Sequence, residues 1–184
     1  LNYINRSILL SFSEQQIIDC EKDCQGCNGG WPHLAINYSA VYGLELEKIY
    51  PYTGHTSKTC KYQQALAIKM TTGYQCIAQK SLPQMQAAVA MQPVSIAVEA
   101  DQDAWQNYDS GILDFGCGAD LDHGVLITGF NNKTQSWTVK NSWGSDWGDG
   151  GYIHIAYDVK ANQGYGVCGI YRCGVIPLNK PNNQ

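Results

Sequence analysis

A change of pattern in mid-chain limits the fold more than any other feature of this sequence. From Val94 onward the chain is a series of short strand-like runs: Val94 to Ala100, Gly111 to Phe115, Val125 to Phe130, Trp137 to Asn141 and Tyr152 to Ala156. Gly, Asn and Asp separate them, as turns between paired strands require. Just before this series, Leu82 to Met91 reads as one helix that Gln92-Pro93 ends. The first half speaks mainly for helices. Ser13 is placed to cap a short helix from Glu14 to Asp19, and Cys20 to Gly30 is a turn rich in Cys and Gly. Pro32 fits the first turn of a helix running to about Tyr42, where Gly43 is a natural stop. Tyr50-Pro51-Tyr52 is extended by the proline rule. Leu1, Ile4, Ile8 and Leu9 recur at helical spacing with no capping residue ahead of them, so residues 1–10 are expected to be the later part of a helix. The whole predicts an α+β protein, a helical N-terminal lobe followed by a β-rich C-terminal lobe, with the boundary near Gly73 to Cys76.

The 184 residues are enough to bury a proper core. A net charge of −4 without any run of Lys or Arg argues against nucleic acid or an anionic membrane surface as a partner. No apolar run reaches transmembrane length. Eight Cys favour an oxidising compartment. Sequons at Asn5, Asn37 and Asn132 agree with secretion, and Asn132 is the best acceptor because Asn131-Asn132-Lys133 reads as an exposed turn. No signal peptide is visible, so a leader is expected to have been removed or to lie outside these residues.

Chemistry concentrates in Asp122-His123-Gly124 and in Asn141-Ser142-Trp143-Gly144, followed by Trp147-Gly148. His123 begins one apolar run and Asn141 ends the next, so a hairpin turning at Asn131-Asn132 would bring both to one rim. These are two members of a Cys–His–Asn set. A thiol nucleophile needs an imidazolium beside it to become a thiolate, and the His then returns its proton to the leaving amine. An Asn carbonyl accepts from the other ring nitrogen and fixes the ring, and a large apolar neighbour such as Trp143 keeps water from that bond. From one His and one Asn alone, a core histidine and a turn filled by the Trp-Gly pairs are the favoured reading, and only a longer matching pattern reverses it.

The wider pattern resembles the papain-like cysteine proteases, the papain and cathepsin L branch. The matching blocks are Ser13-Glu14-Gln15-Gln16 with Asp19-Cys20, Gly26-Cys27-Asn28-Gly29-Gly30, Tyr50-Pro51-Tyr52, Gln92-Pro93-Val94-Ser95, the His123 and Asn141 segments, Gly150-Gly151-Tyr152 and Val167-Cys168-Gly169. The resemblance implies a two-lobe fold. A helical left lobe, residues 1–75, would be joined by the tail 176–184, and an antiparallel, barrel-like right lobe would span 76–175. It also implies His123 as general base and acid, Asn141 as its orienter, Trp143 as the shield, and Asp122 as a weak modulator of the ion pair. Gly29 and Gly30 would hydrogen-bond the substrate backbone. Trp31, Pro32, Ala97 and Leu121 would line an apolar P2 pocket with Cys173 at its floor.

The same resemblance implies bridges Cys20–Cys60 and Cys117–Cys168. Cys76 and Cys173, at the two ends of the β-rich lobe, are candidates for a third, which conflicts with Cys173 as an open pocket floor. Cys27 would pair with a Cys in an N-terminal segment, unless Cys24 takes it. Cys24-x-x-Cys27 lacks a second ligand pair, so disulfide or packing roles are favoured over zinc, and no metal or cofactor is expected. The family's nucleophilic Cys would lie about a dozen residues before Leu1, so the chain alone is expected to be inactive. The expected function is therefore a cysteine endopeptidase, with a non-catalytic structural or binding homologue as the alternative. Expected partners are a peptide or protein substrate, with a propeptide, a protein inhibitor or the N-terminal segment besides. Lysosomal, vacuolar and extracellular destinations all fit.

Overall fold

The computed structural model describes residues 9–179. The helix expected over residues 1–10 lies mostly outside them, and Leu9 and Leu10 have no regular structure. Two compact units divide the chain. One runs to Gln75 and resumes at Pro177, and the other is Cys76–Ile176.

In the first unit, α1 (Glu14–Cys20) starts where the Ser13 side chain accepts from the Gln16 N–H. The same hydroxyl donates to the Tyr50 carbonyl at 2.6 Å, so one cap also anchors a distant loop. The second helix, α2 (Pro32–Tyr42), begins at its proline and ends at Gly43, whose φ of 80° lies in the region that favours glycine. The apolar core here is small: Cys20, Tyr38 and Tyr50, with Ile17, Leu44 and Tyr62 against it. Buried amides supply much of the cohesion. Gln16 is fully buried, donating to Tyr38 Oη and the Gly43 carbonyl and accepting from the Glu45 N–H, so neither end of its amide is left unpaired. Asp19 accepts from Gln15, Tyr50 and the Ser57 N–H. Burial works against its charge, yet these bonds and His55 hold its pKa below the ordinary value. The Cys20–Cys60 bridge closes the unit.

The second unit is built on one sheet. Its strands are β1 (Gly73–Ile77), β2 (Val94–Val98), β3 (Ile112–Leu113), β4 (His123–Asn131), β5 (Ser136–Lys140), β6 (Tyr152–Ala156) and β7 (Gly174–Leu178). Their order is β1-β7-β2-β4-β5-β6-β3, and β1 and β7 straddle the points where the chain passes between units. Helix α3 (Leu82–Met91) starts at Ser81, and a short α4 (Asp103–Gln106) follows β2. Ile127, Trp137, Val139, Ile153 and Ile155 are fully buried along the central strands. Each such side chain contributes roughly 1.5–3 kcal/mol of burial free energy. At the centre the Trp137 indole donates to Tyr171 Oη, which donates to the Tyr157 carbonyl. Burial pushes the Tyr171 hydroxyl up to about 12.

The α+β architecture is as expected, but the sheet is open and not a closed barrel. Closure would require the end strands β1 and β3 to pair. Instead β3 is two residues long and runs parallel to β6, while the β2–β4, β2–β7, β4–β5 and β5–β6 pairs are antiparallel.

Candidate active site

The β4–β5 hairpin carries the chemistry. Asn131 Oδ1 accepts from the Lys133 N–H and Gln135 takes a φ of 54°, which turns the chain at the expected place. Pairing of Ile127 with Val139 and of Leu126 with Lys140 then brings the head of β4 level with the end of β5. His123, half-buried, opens β4 opposite Val98 of β2. Asn141, 7% exposed, follows β5, held there by its N–H on the Gly151 carbonyl. His123 Nε2 and Asn141 Oδ1 are 2.8 Å apart. Because that oxygen can only accept, the ring carries its proton on Nε2 and turns Nδ1 away as a base. Asn141 Oδ1 also takes the Ser142 N–H at 2.8 Å, so the amide oxygen has two fixed donors.

Trp143 lies over the imidazole with ring centres 5.0 Å apart and planes tilted by 31°. The turn bearing it depends on Gly148, at φ 58°, where a Cβ would come within 2.5 Å of the Tyr152 carbonyl oxygen. Asp122, exposed, accepts from the Ala100 and Asp101 N–H groups and thereby ties the end of β2 to the residue before His123. Ala97 and Cys173 are neighbours, the Ala97 N–H donating to the Cys173 carbonyl, and Leu121 packs on Gly169. Gly29, Gly30, Trp31 and Pro32 belong to the first unit. Gly29 has a φ of 116° with open space at its Cβ position, whereas a Cβ on Gly30 would run into Cys24 Sγ. Trp31 is 46% exposed.

Both expected bridges are present, and Cys24, Cys27, Cys76 and Cys173 are free thiols. The candidate third bridge is therefore open here, and Cys24 does not take Cys27. Burial, then the neighbouring Cys76, pushes the Cys173 thiol above its ordinary pKa, and burial, then Glu21, does the same to Cys24. Both shifts oppose the thiolate that a nucleophile needs. Among the described residues no group of three or more His, Cys, Asp or Glu side chains could hold a metal ion.

Sequence reasoning passed over two residues here. Trp105, on the four-residue α4, gives no periodic signal and is fully buried against His123. Glu99, 7% exposed, sits just beyond β2 with Gln102 Nε2 3.4 Å from Oε1. Burial, then the charges of Asp101, Asp120 and Asp122, raises its pKa above the ordinary 4.5. A raised folded-state pKa gives stability that is present at acid pH and lost as pH rises through the folded value. Glu99→Gln is thus expected to raise the melting temperature near neutral pH and leave it unchanged in acid. Equal shifts at both pH values in thermal melts would contradict this account.

A model of the papain family cysteine proteases matches residues 1–178. Cysteine protease 1 of Oryza sativa subsp. japonica is 37% identical over 190 residues, covering 100% of this chain and 38% of the rice protein. The chain therefore spans well under half the length of that curated relative. The crystal structure of the Carica candamarcensis cysteine protease CMS1MS2 in complex with E-64 superposes with a TM-score of 0.89 at 37% identity, covering 98% of this chain and 83% of that one. The proform of the ragweed pollen allergen Amb a 11, a cysteine protease, gives 0.88 at 34% identity, covering 98% and 56%. The sequence match over nearly the whole chain and the shared fold agree with the His–Asn–Trp geometry, and the chain belongs to the papain family of cysteine proteases.

Proposed function

We propose that the protein containing this chain is a cysteine endopeptidase in which His123 is the general base and acid and Asn141 orients it. The observation that carries this reading is the 2.8 Å contact of His123 Nε2 with Asn141 Oδ1 beneath Trp143. In this mechanism His123 Nδ1 takes the proton of a cysteine thiol, and the thiolate attacks the scissile carbonyl. His123 then gives the proton to the leaving amine, and an acyl-thioester forms. Water, deprotonated by the same nitrogen, attacks the thioester and returns the thiol. Asn141 holds the ring through both transfers, Trp143 excludes water from their bond, and Asp122 would be a weak modulator beside the ion pair. Gly29 and Gly30 would present backbone groups to the substrate chain. Trp31, Pro32, Ala97, Leu121 and Cys173 would favour an apolar P2 side chain.

The nucleophile in this reading is none of the eight cysteines of residues 1–184, because four are bridged and the other four lack the family's active-site context. The test is alkylation of the full-length, mature protein by iodoacetamide with peptide turnover as the readout. Turnover is expected to vanish in step with modification of one cysteine outside residues 1–184. Loss that instead follows Cys24, Cys27, Cys76 or Cys173 would refute the assignment, and a protein without turnover would return it to the non-catalytic alternative. A protein inhibitor or a propeptide is the partner this site would accept besides substrate. An acidic vacuolar or lysosomal compartment, or the cell exterior, suits the bridges and an N-linked glycan on the exposed Asn132, which mass mapping of the same peptides reads directly. No helix among the described residues is long and apolar enough to cross a membrane.

A further inference from the structure

We propose that Trp105 is a positioning residue for His123, bracing the imidazole edge-on where the shielding Trp143 lies over its face; the inference deepens the function proposed above and rests on it. Four rings close a circuit within the second unit. Trp143 lies 5.0 Å from His123 and 5.3 Å from Trp147, Trp147 stacks on Trp105 at 5.8 Å, and Trp105 meets His123 at 6.3 Å with planes 81° apart. The imidazole is therefore held on its face by one indole and edge-on by another. A half-turn about its Cβ–Cγ bond would put Cε1 in place of Nε2 and Cδ2 in place of Nδ1 and so break the Asn141 bond, and the ring would have to turn against both indoles to make it.

The two supports differ in rigidity. Trp143 is 39% exposed on a surface turn, whereas Trp105 is fully buried. Its short helix is fastened at both ends. The Asp122 carboxylate takes the Ala100 and Asp101 N–H groups just ahead of the helix, Gln106 Nε2 donates to the Ala100 carbonyl, and Trp147 Nε1 donates to the Gln106 carbonyl. Asp122 immediately precedes His123, so the clamp that places Trp105 is the neighbour of the residue it supports. The buried Trp105 Nε1 has no hydrogen-bond partner among the described residues. Burying a donor unpaired is unfavourable, so an indole at this site is not explained by hydrogen bonding. Its ring contacts are what the position uses.

The experiment is proton exchange of the His123 Nε2–H in the 15N-labelled full-length protein. The Trp137 Nε1–H, bonded to Tyr171 elsewhere in the same core, serves as internal reference. In Trp105→Leu the His123 proton should exchange about tenfold faster while the Trp137 proton stays within about twofold. Trp105→Phe, which removes the unpaired donor and keeps one ring, should fold even if the leucine variant does not. It should give a smaller acceleration of about threefold in the His123 proton alone. Unchanged His123 exchange, or an equal rise at Trp137, would overturn the proposal, the latter marking a merely structural role. Because no substrate is involved, a protein with no peptidase activity would refute the function and leave this measurement standing. Intact turnover with unchanged exchange would refute only the role of Trp105.

Discussion

His123→Ala is expected to lower peptide turnover by the full-length protein by roughly three orders of magnitude, the middle of the range for losing a positioned general base and acid. Both chemical steps lose their proton carrier: the thiol is no longer deprotonated, and the leaving amine no longer receives a proton. The fold should persist. His123 is half-buried at the start of a strand, and its backbone pairing with Val98 does not involve the ring. Asn141 Oδ1 keeps the Ser142 N–H as a donor, so the substitution strands no buried acceptor. The expected signature is therefore lost kcat with a nearly unchanged melting temperature. Turnover retained within about tenfold in a folded variant would place the general base elsewhere.

Several parts of this structure are legible in the sequence because their causes are local. Ser13, Pro32, Gly43 and Gln92-Pro93 act within a turn of where they stand, and they mark the ends of α1, α2 and α3 as found. Strand β6 reads clearly because Ile153 and Ile155 alternate inward. Strand β1 does not, since only Ile77 among its five residues is buried and no alternation reports it. The two-residue β3 owes its parallel pairing to β6, a partner forty residues away that no local propensity names.

The candidate site divides in the same way. His123 and Asn141 could be placed together because one hairpin joins them, and a hairpin is a local object. Trp105 could not, because its approach to His123 depends on the Asp122 carboxylate reaching back some twenty residues to Ala100 and Asp101. The openness of the sheet belongs with this second class. It is set by which strands are left without partners, and that is decided only when all seven have been ordered.

Removing the Cys117–Cys168 bridge should produce the largest loss of stability available outside the sheet core. The two cysteines lie 51 residues apart, and restoring the freedom of a loop that long to the unfolded chain costs about 4 kcal/mol. For a protein of this size that corresponds to a fall of about 8–16 °C in melting temperature. The Cys20–Cys60 bridge, with a separation of 40, carries nearly the same entropic weight, because the loop enters only as a logarithm. The difference between them is burial. Cys168 is fully buried among Val167 and Ile170 and Cys117 is half-buried, whereas Cys20, in the small core of the first unit, is bridged to an exposed Cys60. Cys117→Ala with Cys168→Ala therefore removes more sulfur from a packed interior and adds a larger cavity cost than the other pair does. Calorimetry of the two double variants should show the larger drop for the Cys117–Cys168 pair, and equal drops would mean that loop entropy alone governs both. Turnover should fall as well, since Cys117 anchors the segment that runs through Leu121 and Asp122 into His123. The loss should be partial, because Asn162 Nδ2 still donates to the Cys117 and Gly118 carbonyls and keeps that segment tethered after the sulfurs are gone.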